Sequence, residues 1–184
     1  MIKKVWIAII AIGMAGTVNA QDVKLGAKIG MNVSSVIEKG SNSLDSKTGW
    51  VLGATAEVSL TEKFSLQPEL LFSQQGARSE GNFTLDLNYI TLPVMAKYYI
   101  AKGFSLEAGP QFSFLVKDQL ISETGGQTAD IDAESFDLTA NLGLGYQLDN
   151  GIFFQTRYNL GLTNFDDNPD VKNGVFQMSL GYQF

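Results

Sequence analysis

Hydrophobic and polar residues alternate along most of the chain beyond residue 22. Val23, Leu25, Ala27, Ile29, Met31 and Val33 are interleaved with Lys24, Gly26, Lys28, Gly30 and Asn32. A period of two means a strand whose faces meet different surroundings. The pattern recurs seven more times, with its apolar residues at alternate positions across 50–60, 64–72, 90–100, 104–114, 136–148, 152–162 and 176–184. Thr156 is the one hydroxyl on the apolar face of the seventh segment, and no charged residue occurs on any of these faces. The connections are alternately short and long. Thr61-Glu62-Lys63, Ala101-Lys102-Gly103 and Asp149-Asn150-Gly151 read as tight turns, the last most clearly, because Asn-Gly tolerates positive φ. The stretches 35–47, 75–86, 117–134 and 165–173 are long and polar. This layout predicts an all-β fold, an eight-stranded antiparallel up-and-down transmembrane β-barrel. Its short turns and both chain ends lie on the periplasmic side, and its long loops on the other.

Alternation alone also describes a soluble eight-stranded barrel with an apolar interior. Three features turn the apolar face outward. Eight strands enclose a space just wide enough for side chains to fill, and the apolar set is too bulky for it. Gly26, Gly30, Gly53, Gly109, Gly143, Gly145, Gly161 and Gly181 fall on the polar face. There they pack nothing against solvent, but in a narrow lumen they make room for longer side chains opposite. Aromatics gather near both ends of the strands: Phe64, Tyr98, Tyr146 and Tyr182 near the short turns, Trp50, Phe72, Phe114 and Phe136 near the loops. Two such girdles belong at two membrane interfaces.

Ahead of the first strand, Lys3 and Lys4 precede an apolar run to Val18 and then Val18-Asn19-Ala20. This is the three-part layout of a secretory signal, with cleavage expected between Ala20 and Gln21. The run is too short to span a bilayer comfortably. Residues 1–20 are therefore expected to be a cleaved signal and 21–184 the barrel domain. Cleavage takes the net charge from −6 to −8 by removing Lys3 and Lys4, which disfavours a nucleic-acid partner. Outer-membrane lipid is the expected surrounding. The terminal Gly181-Tyr182-Gln183-Phe184, with Gly181, Tyr182 and Phe184 as its marks, resembles the signal read by the outer-membrane assembly machinery.

The polar face carries Lys24, Lys28, Lys97 and Arg157 against Glu57, Glu69, Glu107 and Asp137. Counted from the short turns, Lys28, Glu57, Glu69, Lys97, Glu107 and Arg157 fall in one band across the lower middle of the barrel. Buried charges have to be paired, so the band is expected to be an ion-pair plug in a lumen filled by side chains. A ligand or ion pathway is the alternative. Pro68, Pro93 and Pro110 fall within the adjacent third, fourth and fifth segments. Proline donates nothing to a ladder and a closed barrel has no edge to hold it. Local bulges are expected there, the alternative being a weakened seam open to lateral entry.

Three stretches resemble the PorT-like outer-membrane β-barrel family common in Bacteroidota: Tyr89-Ile90-Thr91-Leu92-Pro93, Ala108-Gly109-Pro110 and Arg157-Tyr158-Asn159-Leu160-Gly161-Leu162-Thr163-Asn164. Thr91 stands where that family often has an acidic residue. The resemblance implies an outer-membrane barrel, and some relatives are linked to protein secretion.

Chemistry narrows the remaining functions. The chain has no histidine and no cysteine, so the usual catalytic triads and most zinc sites lack their parts. No enzyme activity and no cofactor are expected. A general porin needs about 16 strands, which leaves only a narrow channel as a conducting alternative. The long stretches are acidic, with Asp130, Asp132, Asp166, Asp167 and Asp170 among them; calcium at those clusters matches no defined loop motif. The expected function is a structural, adhesive or partner-binding surface protein acting through its loops. The alternative is an accessory of a secretion system, and the expected protein partner is a surface or secretion-system component.

Overall fold

The computed structural model describes residues 23–38, 45–79, 83–122, 128–129, 136–162 and 171–184. They form strands β1 (Val23–Glu38), β2 (Asp45–Ser59), β3 (Phe64–Ser79), β4 (Phe83–Ala101), β5 (Phe104–Ser122), β6 (Thr128–Ala129), β7 (Phe136–Gln147), β8 (Ile152–Gly161) and β9 (Val171–Gln183). Every pairing is antiparallel. The order β4-β3-β2-β1-β9-β8-β7-β5 is closed by β4 against β5. Eight long strands thus make a closed up-and-down barrel, and β6 is a two-residue addition to β5 at Leu120 and Ile121. The first and last barrel strands pair directly, from Gly26↔Gln183 to Glu38↔Val171, so no long strand is left as an edge.

The alternation reads out as expected. Leu142 is 68% exposed and Met178 60%, while Arg157 is 2% and Glu107 0%. The apolar face is outside and the charges are inside. Rings meet across strands in the loop-side girdle, Trp50 on Phe72 at 5.0 Å and Phe114 on Phe136 at 5.5 Å, and toward the short turns Tyr182 of β9 meets Phe184, just beyond the same strand, at 5.5 Å. Gly103 and Gly151 in two of those turns have φ of 75° and 89°, a region where other L-residues are strained. In the β7–β8 turn the Asn150 side-chain oxygen also accepts from Ile152 N at 3.1 Å, which fixes its shape.

Three expectations need correction. First, much of the long polar stretches is strand. β3 and β4 stay paired from Gln74↔Asn88 to Ser79↔Phe83, and β4 and β5 from Asn88↔Lys117 to Phe83↔Ser122. A ladder is made by the backbone, so polar side chains extend it once the membrane-embedded part has set the register. Second, the bulges are not at the prolines. The register shifts lie between Ser46 and Val51, between Asn88 and Tyr89, and between Tyr99 and Ala101. At Pro68, Pro93 and Pro110 the register is unchanged and rungs are simply missing. A missing donor removes a hydrogen bond without inserting a residue. Third, the lumen is not uniformly polar. Val51, Leu71, Leu87, Tyr89, Met95, Phe153 and Val175 are buried inside it. Most of them stand on strands whose outer face is also apolar, so alternation could not single them out.

Candidate functional site

The chemistry is concentrated in the lumen, where period-two strands aim one residue in two at the barrel axis. The structure brings the six charged residues of the expected band together. Arg157 of β8 donates to both oxygens of Glu69 on β3, at 2.8 and 2.6 Å. Through Nε and a terminal nitrogen it also holds Glu107 of β5, at 3.1 and 2.9 Å. Lys28 of β1 pairs with Glu69 at 2.7 Å. Lys97 of β4 pairs with Glu57 of β2 at 2.7 Å and reaches Glu107 at 3.9 Å. Three cations meet three carboxylates, and each side chain is almost wholly buried. Charges this dry persist only when paired and hydrogen-bonded.

Neutral side chains complete the cluster, and these were not singled out from the sequence. Gln67 accepts from Lys97 at 3.1 Å and donates to Glu69 at 2.6 Å. Gln155 donates to Glu107 at 2.9 Å and accepts from Lys28 at 3.3 Å. Tyr99 donates to Glu57 at 2.5 Å, and Gln183 donates to the same carboxylate at 2.8 Å. Gln147 donates in turn to Gln183. With Lys28, Glu57, Glu69, Lys97, Glu107, Gln147, Arg157 and Gln183, all eight barrel strands contribute. The available signal was the polar face itself: these residues share it, but an uncharged amide carries no mark of its own.

Glycine makes the space. A Cβ on Gly145 would lie 2.6 Å from Ser105 Oγ and collide with the Glu107 carboxylate, and one on Gly181 would enter the Phe153 ring. Toward the short turns a cavity of about 700 Å³ opens below the cluster, with Lys24, Glu57, Ser65, Tyr99 and Gln183 in its wall. At its rim Lys102 meets Asp149 at 2.6 Å; the hydrogen bond to that carboxylate raises the Lys102 ammonium above its ordinary pKa. Toward the loops amides and hydroxyls predominate, with a further ion pair, buried Lys47 of β2 on half-buried Asp86 of β4. Asn32 donates to Ser73 at 2.9 Å and accepts from Gln177 at 3.0 Å, and Asn141 donates to Gln111 at 3.1 Å.

Of the other expected residues, Lys24 is exposed at the mouth and Asp137 is half-buried. Gly181 and Tyr182 lie in β9, with Phe184 just beyond it, next to β1. Phe184 N donates to Leu25 O at 2.8 Å. Ala20, Gln21 and the acidic positions 130, 132, 166, 167 and 170 lie outside the described residues. Among the described residues no three acidic side chains form a group able to hold a metal ion. Glu57, Glu69 and Glu107 are already held by cations.

Comparison with known proteins agrees with this geometry. The family described as "Outer membrane protein beta-barrel domain" matches residues 19–167. The crystal structure of Ail, the attachment invasion locus protein of Yersinia pestis, aligns with a TM-score of 0.58 at 20% identity, over 89% of this chain and 99% of that one. Neisserial surface protein A aligns with a TM-score of 0.63 at 10% identity, over the same shares of the two chains. At these identities the likeness is one of fold. No curated protein matches the chain.

Proposed function

The chain belongs to the outer membrane protein beta-barrel domain family, and from that premise we propose that it is a non-catalytic surface barrel that binds a partner through its loop end. It sits in the cell outer membrane. The observation that carries the reading is the closed charge balance of the lumen. Among the described residues Lys28, Lys97 and Arg157 are taken up by Glu57, Glu69 and Glu107, so none of these six stands as a poised acid or base. A specific activity is therefore assigned to the loop end, where β3, β4 and β5 carry the wall beyond the outer girdle. A strand needs about 9–11 residues to cross a bilayer, and β4 and β5 each have 19. That an attachment protein shares this fold supports a surface role for a barrel of this size.

In the same reading residues 1–20 are an export signal removed after Ala20, and 21–184 form the barrel domain. The short-turn end faces the periplasm. The last strand, with Gly181, Tyr182 and Phe184, is what the assembly machinery recognises. The test is crosslinking in intact cells followed by purification of the barrel, with a variant whose long connections are shortened as the comparison. A cell-surface or extracellular protein that is captured by the full chain and lost with the shortened loops is the expected result. Recovery of secretion components would replace this reading with a PorT-like accessory role. Equal recovery with both variants would remove the loops from the function.

A further inference from the structure

Five of the eight seams of the barrel have unbroken ladders: β1–β2, β1–β9, β5–β7, β7–β8 and β8–β9. The other three are interrupted, and they are consecutive. Between β2 and β3 the pairing stops at Thr55↔Glu69 and resumes at Val58↔Leu66, beside Pro68. Between β3 and β4 it stops at Pro68↔Val94 and resumes at Leu71↔Thr91, beside Pro93. Between β4 and β5 it stops at Pro93↔Gln111 and resumes at Ala96↔Ala108, beside Pro110. The gaps touch one another along β3 and β4 and form one track across the wall. In hydrocarbon no water replaces a lost ladder bond, so this is the weakest part of the wall by construction.

The inner face of the same wall departs from the rest of the lumen. Down β4 it reads Leu87, Tyr89, Thr91, Pro93 and Met95 before Lys97 is reached, with Leu71 of β3 and Val51 of β2 alongside. A largely apolar strip, interrupted by the Thr91 hydroxyl, thus descends from the loop end and stops at the charged cluster. Its lower part, at Pro93 and Met95, lies against the missing rungs. On the outer side of those rungs stand Pro68, Leu70, Leu92, Val94 and Pro110, which face lipid. The charged cluster closes the axis directly below.

We propose that the β2–β5 wall is a lateral passage, which admits small apolar molecules from the loop end and releases them sideways into the bilayer. The interrupted ladders let β3 and β4 part, the strip of β4 supplies an apolar surface, and the ion-pair cluster prevents passage along the axis.

The chain contains no cysteine, so a seam can be locked cleanly. Leu70→Cys with Leu92→Cys places a disulfide across the β3–β4 gap, where the register sets the two residues opposite each other. Thr156→Cys with Met178→Cys locks the unbroken β8–β9 seam as a control. The probe is N-phenyl-1-naphthylamine, added to intact cells whose outer membrane contains the full barrel. The wild-type barrel is expected to speed dye entry over cells without it. The β3–β4 lock abolishes that gain, reductant restores it, and the β8–β9 lock leaves it unchanged. No gain from the wild type, or equal entry with both locks, overturns the proposal. Hydrogen exchange on the purified barrel gives an independent reading. Amides at Leu70, Leu92 and Val94 should exchange faster than those at Leu144, Thr156 and Met178, and equal protection would also refute it.

Discussion

Arg157 shows most directly what a buried charge does in this barrel. Its guanidinium spans from Glu69 on β3 to Glu107 on β5, strands that are not neighbours, so one planar fork ties opposite sides of the wall together. Lysine carries the same charge but as a single point, without the planar fork that grips both oxygens of Glu69 while also holding Glu107. Removing one partner of a buried ion pair leaves the other charge stranded, at a cost of roughly 3–5 kcal/mol. Arg157→Gln should therefore destabilise the folded barrel by about that amount, and Arg157→Lys should fall between it and the wild type. Urea unfolding in lipid vesicles measures both. Equal loss in the two variants would mean that bidentate bridging contributes nothing. Arg157 itself was legible in the sequence, because a lone cation on the polar face of a lipid-spanning strand has to find carboxylates. Which carboxylates it meets was not legible, since that depends on a cross-lumen distance set by all eight strands together.

At the scale of a strand, the outer face obeys lipid and the inner face obeys volume. Leu142, in the middle of β7, pairs with Ala108 and Tyr158 on its two neighbours and points outward. A cation there meets hydrocarbon, and Leu142→Arg should lose about 2–4 kcal/mol in the same unfolding measurement. Lys102→Ala, in a solvent-exposed turn, should change stability little. If Leu142→Arg were as harmless as the turn variant, β7 would not face lipid at mid-depth. The outer face was the readable one: a single rule, no charge and plenty of bulk, applies at every outward position. Inner positions follow no single rule. Met95 and Leu71 fill space where a polar residue would also be tolerated, and they stand on strands already apolar outside, so the period-two signal fades there. The prolines show a further limit. Their missing donors are visible in the sequence, but whether a ladder answers with a bulge or with absent rungs depends on its partner strands. Here both partners of each proline hold their register.

For the molecule as a whole, the lumen is divided along its axis. A cavity of about 700 Å³ opens on the short-turn side, the charged cluster lies above it, and amides, hydroxyls, the Lys47–Asp86 pair and the largely apolar strip of β4 occupy the loop side. Some lumen oxygens are left to solvent. Asn141 Oδ1, Asn159 Oδ1, Thr55 Oγ1 and Ser179 Oγ are buried without a protein partner, and such groups are normally satisfied by ordered water. Water at isolated points is not a pore, however. A continuous path along the axis has to pass the cluster, in which every strand has a side chain and the carboxylates are bound from several directions. Opening it would separate ion pairs in a medium of low dielectric constant, where their attraction is strongest. Eight strands also enclose only enough room for side chains. Purified barrel in a planar bilayer should therefore give no large, stable conductance, even under conditions where an apolar dye is admitted through the wall. This pairing of results separates the two routes: ions have only the axis, whereas an apolar molecule has the β2–β5 wall. A large and lasting ionic current through the wild-type barrel would show that the cluster is not a plug, and would return the axis to consideration as a channel.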